Sequence, residues 1–208
     1  GLLEQRDFFI QVFLFASYRE SQLNGAMTKN IVYFDLETQN VSAEVGGWGR
    51  KDLLKMSLGV TYSTHRGTYH IYPEWKVDEL IEELRRADLV VGFNLLDFDY
   101  GVLMGYTILD LRCCLRTLDL LVDIEKRIGR RVGLDTLSNA TLGVGKIADG
   151  LDAVRWYREG KWREIAEYCC YDVKVTKMLH EFGAKNGFLL YRDRKNQQQR
   201  VPVDWVLD

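Results

Sequence analysis

The run Ile31-Val32-Tyr33-Phe34-Asp35-Leu36-Glu37-Thr38 is apolar at most positions and rich in β-branched and aromatic residues, the pattern of a strand heading into a core. Side chains two apart on a strand project from one face, so Asp35 and Glu37 point the same way. Residues 54–62 alternate loosely and residues 68–72 follow after a turn at Arg66-Gly67, which predicts an antiparallel meander of three strands. Over residues 77–86, Val77, Leu80, Ile81 and Leu84 have the spacing of an amphipathic helix, leaving Glu79, Glu82, Glu83, Arg85 and Arg86 for solvent. The short apolar run at 88–93 fits a buried parallel strand. A helix feeding such a strand is a crossover unit, and it places the residues after Phe93 at the carboxyl end of the strand, where open α/β sheets bind ligands.

The residues at that end are Asn94-Leu95-Leu96-Asp97-Phe98-Asp99-Tyr100, running into a helix through Leu103 and Met104. Asp97 has the character of a helix N-cap, and Asp99 would sit in the first turn, favoured by the helix dipole. Residues 115–121 read as a strand end or a helix start, with Asp119 either near a site or capping. Leu134–Leu142 has a helical pattern, and the Gly143-Val144-Gly145-Lys146 loop after it lacks the order of a P-loop. Residues 153–158 and 161–182 form two predicted helices. On the second, Ile165, Tyr168, Asp172, Thr176 and Leu179 share a stripe. An aspartate in a core-directed stripe is costly unless it is paired with a basic side chain or holds a metal. Tyr168 lies one turn before it on the same face. Residues 188–191 and 200–203 flank a polar stretch and resemble a hairpin.

With 208 residues, no internal repeat and only two prolines, the pattern reads as one α/β domain over residues 27–208, preceded by an extension over 1–26. That extension is either an addition before Met27 or an added helix packed on the body or on a partner. Its apolar stretch at 8–16 is too short for a membrane span, so no membrane association is expected. A net charge of -2 gives no bulk attraction for polyanions, although a site gathering acids around metal ions can be neutral overall beside a locally basic groove. Four cysteines fall in two adjacent pairs, Cys113-Cys114 and Cys169-Cys170, without C-x-x-C spacing, and read as reduced packing residues of a cytoplasmic protein. His65, His70 and His180 are scattered and form no ligand constellation.

Two carboxylates side by side at the end of a buried strand repel each other and lose hydration, so they persist where something positive compensates them. A divalent cation is the simplest compensator; the other reading is that one acid merely faces solvent. Four candidate acids stand on three separated elements: Asp35 and Glu37, then Asp99, then Asp172 with Tyr168. In this order and spacing the chain resembles the DEDD superfamily of 3′-to-5′ exonucleases, in its tyrosine subgroup, through the segments FDLET, GFNLLDFDYGVL and YCCYD. The middle segment is most similar to the second exonuclease motif of the proofreading domain of family B DNA polymerases, where an asparagine precedes a Phe-Asp pair. That likeness selects Asp99 over Asp97. The stretch over 134–182 is also similar to stand-alone prokaryotic RNase H-like exonuclease-type proteins.

The resemblance implies an RNase H-like α/β fold: a central mixed sheet, its first three strands an antiparallel meander followed by parallel strands, flanked by helices. It also implies that Asp35, Glu37, Asp99 and Asp172 hold two magnesium or manganese ions, with Asp35 bridging them. One ion would activate a bound water and the other would stabilise the departing 3′ oxygen. Tyr168 would orient or deprotonate the water, and Thr38 and Asn94 would contact the terminal nucleotide. The substrate would be a single-stranded or frayed 3′ end of DNA or RNA, released as nucleoside 5′-monophosphates. Trp48, Phe98 and Tyr100 could stack on bases, and Lys146, Arg155, Arg158, Lys161 and Arg163 could track the backbone, unless the aromatics are core and the cations a solvated face. Two competing readings are a non-catalytic RNase H-like module docked on a helicase or polymerase, and an endonuclease of the RNase H or Holliday-junction type. The tyrosine four residues before Asp172 separates the exonuclease reading from the second of these.

Overall fold

The computed structural model describes residues 29–145 and 147–207; the predicted extension over 1–26 and Lys146 lie outside the described residues. Five strands form the main sheet in the order β3-β2-β1-β4-β5: β1 (Ile31–Thr38), β2 (Met56–Ser63), β3 (Thr68–Pro73), β4 (Leu89–Gly92) and β5 (Thr117–Asp119). The first three form the antiparallel meander, while β4 runs parallel to β1 and β5 parallel to β4. This is the mixed sheet of an RNase H-like fold. Its central strand is β1, buried on both faces, which is why its sequence is nearly continuous in apolar residues.

The alternation of β1 divides the core in two. Val32, Phe34 and Leu36 pack with Leu80 and Leu84 of α1 (Val77–Arg85) and with Val102 and Leu103 of α2 (Tyr100–Leu103). The short helix α3 (Leu111–Cys114) closes that side, with Leu111 buried. On the opposite face, Ile31 and Tyr33 pack with Leu58, Val60 and Val91 beneath α4 (Leu120–Ile128), α5 (Leu134–Leu142), α6 (Gly150–Arg158) and the long α7 (Trp162–Asn186). Asp35 and Glu37 continue the Ile31 and Tyr33 register, so they face α7. The hairpin of β6 (Phe188–Arg192) and β7 (Gln198–Pro202) lies against α5 and α7.

Local chemistry sets the helix ends. Asp119 caps α4 by accepting from the Leu121 and Val122 amides, and Asp149 and Asp152 form a capping box on α6. Gly129, Gly143 and Gly187 end α4, α5 and α7 in the left-handed region that glycine adopts without strain. Among the described residues, no helix is long and apolar enough to cross a membrane.

Several expectations change. Trp48–Leu53 form a 3₁₀ segment, and residues 95–99 form a single π turn before α2. Glu83, expected in solvent, is only 6% exposed because α1 lies close enough to β2 and β3 for it to accept from the Thr61 hydroxyl at 3.0 Å and from the Tyr72 hydroxyl. Cys113 and Cys114 are exposed rather than packed, since α3 is one turn long and buries only Leu111.

Candidate active site

Gly92 ends β4 where the chain must fold back sharply, and a Cβ there would lie 2.4 Å from Leu95. Asn94 follows in the left-handed region at φ 69°, and the π turn Leu95–Asp99 begins. One buried carboxylate holds this turn in place. Asp119 accepts from the amides of Asn94 at 2.8 Å and Leu96 at 3.0 Å while it caps α4. Both readings of Asp119 thus meet in one residue, which acts by positioning the turn.

The turn delivers Asp99 to β1. Its Oδ1 accepts from the Leu36 amide at 3.1 Å, between Asp35 and Glu37 and just before the register shift at Glu37 and Thr38. From the other side, α7 presents Tyr168, Cys169 and Asp172. Asp35, Glu37, Asp99, Tyr168 and Asp172 all line one cleft of about 520 Å³, so three separate elements converge there. Asp172 stands half-buried at the edge of its stripe, with Ile165, Thr176 and Leu179 fully inside.

These carboxylates are electrostatically costly. Burial first, and then Asp99, Glu37 and Asp172, push the Asp35 carboxyl well above the ordinary range. Burial followed by Asp172 and Asp99 does the same to Glu37. Asp99 is pushed up to about 8 by burial and the nearby Asp119. Among the described residues, no lysine, arginine or histidine forms an ion pair with Asp35, Glu37 or Asp99. Ligand atoms of Asp35, Glu37 and Cys169 lie within 4.8 Å of one another. A donor set dominated by hard carboxylate oxygens, lacking a cationic side chain, fits a magnesium- or manganese-sized ion.

Cys169 is the residue the sequence reading missed, having passed as packing. Its thiol donates to Asp35, 3.3 Å from Oδ2 and 3.4 Å from the carbonyl, and it is fully buried. Its one available signal was its helical position, three residues before Asp172. Tyr168 bonds to Asp172, and burial followed by the Glu37 charge pushes its phenol well up, so the hydroxyl stays protonated.

The predicted substrate contacts divide. Thr38 lines the cleft, its hydroxyl donating to the Asn40 carbonyl at 3.0 Å, and Phe98 lines it edge-on to the 63% exposed ring of Trp48. Asn94 does not line the cleft; its Oδ1 accepts from Arg131 at 2.8 Å. Tyr100 is fully buried and bonded to Thr117 at 2.8 Å, which removes it as a stacking surface. Asp97 is no cap, because Asn94 starts the π turn and the Asp97 carboxylate instead meets Lys51 at 2.9 Å. Each predicted backbone-tracking cation among the described residues is engaged: Arg155 with Asp152, Arg158 with Glu44, Lys161 with Glu159 and Arg163 with Glu167.

No family model matches the chain, and no curated protein does. Among solved structures, it is similar to the family B DNA polymerase from the hyperthermophilic archaeon Pyrobaculum calidifontis, with a TM-score of 0.55 and 13% sequence identity. The match covers 78% of this chain and 25% of that one, so the chain spans about a quarter of the polymerase's length. At this identity the likeness shows a shared fold.

Proposed function

We propose that this protein is a metal-dependent 3′-to-5′ exonuclease of the tyrosine DEDD type, acting on single-stranded or frayed 3′ ends. The observation that carries the reading is the convergence of Asp35, Glu37, Asp99, Tyr168 and Asp172 in one cleft, from three separate elements and, among the described residues, with no cationic side chain paired to the first three. A binding module gains nothing from burying carboxylates that repel one another. Two divalent ions held by Asp35, Glu37, Asp99 and Asp172 would supply an activated water and neutralise the charge that develops on phosphodiester cleavage.

The remaining parts follow from the side chains. Tyr168, bonded to Asp172, orients the attacking water. Asp99 is fixed by the Leu36 amide, and Asp119 fixes the turn that carries it. Phe98 and Trp48 wall the cleft with aromatic surface on which a terminal base stacks, an interaction that tolerates any base.

The test incubates the protein with 5′-labelled single-stranded DNA and RNA, in magnesium, manganese or chelator, beside Asp35→Ala and Asp172→Ala. The expected result is a ladder shortening from the 3′ end that needs metal and both acids. Intact oligonucleotides in every lane, with folded protein, would contradict the reading and favour a module docked on a helicase or polymerase.

A further inference from the structure

A second cleft, of about 550 Å³, opens between the start of α5 and the β6–β7 hairpin. Three arginines line it, and among the described residues their hydrogen bonds go to neutral oxygens: Arg130 to the Arg192 carbonyl at 2.9 Å, Arg131 to Asn94 Oδ1 at 2.8 Å, and Arg192 to the Asn196 carbonyl at 3.1 Å. Among the described residues, none of the three forms an ion pair, in contrast to Arg155, Arg158, Lys161 and Arg163. The hairpin adds to this charge, carrying Arg192, Arg194, Lys195 and Arg200 against Asp193 alone. Asp193 is turned mainly to its own loop, accepting from the Lys195 and Gln197 amides and from Gln199, with only a minor charge interaction with Arg130. Asp135 is the other carboxylate in the cleft.

One hydrogen bond links the second cleft to the turn that serves the first. Arg131 holds Asn94, and Asn94 opens the turn that brings Phe98 and Asp99 into the acidic cleft. Their linings are complementary: aromatic walls and carboxylates in the first, guanidinium groups with Thr136 and Asn139 and, among the described residues, no aromatic ring in the second. Aromatic walls suit bases, whereas guanidinium groups with unused donors suit phosphate oxygens. We infer that the second cleft carries the sugar-phosphate backbone of a single-stranded nucleic acid upstream of the 3′ end held in the acidic cleft. The inference rests on the exonuclease reading for the strand's direction, not for the binding itself.

The test measures binding without turnover. A 5′-fluorescein-labelled oligothymidylate is titrated by anisotropy with the full chain in chelator, across a salt series, using wild type, Arg130→Gln/Arg131→Gln/Arg192→Gln, and Arg155→Gln/Arg163→Gln as control. Loss of three phosphate contacts should make the slope of log affinity against log salt shallower by about 2 and weaken binding at least about tenfold, while the control keeps wild-type affinity. Wild-type affinity and slope in the triple variant, or no strand binding by wild type, would overturn the inference. If the triple variant melts before it can be assayed, Arg192→Gln alone is used, since that side chain bonds only within its own hairpin; it should lose about one contact's worth of slope, and an unaltered slope would overturn the inference. Failure of the exonuclease reading is separable, because it appears as absent metal-dependent hydrolysis whatever the binding.

Discussion

One buried carboxylate beside β2 and β3 and a group of three around the end of β1 have opposite surroundings. Glu83 is buried, yet its Oε2 accepts from the Thr61 and Tyr72 hydroxyls, and its Oε1, without a hydrogen bond among the described residues, lies 3.4 Å from the Arg66 guanidinium that compensates its charge. Asp35, Glu37 and Asp99 are crowded together, and their near neighbours are one another, the Cys169 thiol and a backbone amide. Burial of an acid therefore says little by itself. What separates a structural carboxylate from a ligand is whether the fold supplies the donors that satisfy it.

The largest expected break in this comparison is Asp35→Asn or Asp99→Asn. Hydrolysis should fall by about a thousandfold or more, as loss of a central electrostatic element does, while the chelated protein melts higher because repulsion is relieved. Rate assays and thermal melts in chelator check both halves. Tyr168→Phe should lower the rate by about a hundredfold and leave manganese affinity unaltered, which separates water orientation from ion binding. On the satisfied side, Glu83→Ala should cost about 1–3 kcal/mol of stability, measured by urea unfolding, by stranding the Thr61 and Tyr72 hydroxyls; metal dependence should not change.

Acidity sharpens the contrast. Asp99, raised to about 8, favours the protonated folded state, so stability in chelator is greatest below the ordinary carboxylate range and is lost as pH rises through 8. Manganese should remove that loss, and its effect on the melting temperature should shrink toward pH 5. His180 has the opposite sign. Burial lowers it to about 4, and its Nδ1 pairs with the Tyr33 hydroxyl at 2.9 Å, so its contribution is present above its ordinary value and is lost as pH falls through 4. That amounts to about 3 kcal/mol, and His180→Phe should flatten the acid limb of a stability profile. Cys169→Ala should give the smallest effect, a severalfold loss of manganese affinity by calorimetry, because a thiol is a weak donor to Asp35.

The contrast also explains what could be read in the sequence. Strand alternation placed Asp35 and Glu37 on one face, and helical spacing put Tyr168 and Asp172 together, because both are local geometry. The crossover at β4 located Asn94 through Asp99 at the sheet's carboxyl edge. Glu83, on α1, was misread because its partners, Thr61 and Tyr72, come from β2 and β3. Asp97 lost its capping role to a π turn set by Gly92, the left-handed Asn94 and the distant Asp119, and Tyr100 was drawn inside by Thr117. Among the described residues, the cations chosen for backbone contact are already held: Arg155 and Arg163 by acids three or four residues away on their own helices, Lys161 by Glu159 two residues before it, and Arg158 by Glu44 across the fold. Arg130, Arg131 and Arg192 become neighbours only once the hairpin folds back onto α5.

The most direct test is a calorimetric titration of manganese into the folded full-length chain and into Asp35→Asn. Two ions bound per wild-type chain, with binding severely weakened in the variant, is the predicted result. A flat wild-type titration, or equal binding by both proteins, would contradict the claim that these carboxylates are gathered to hold divalent ions.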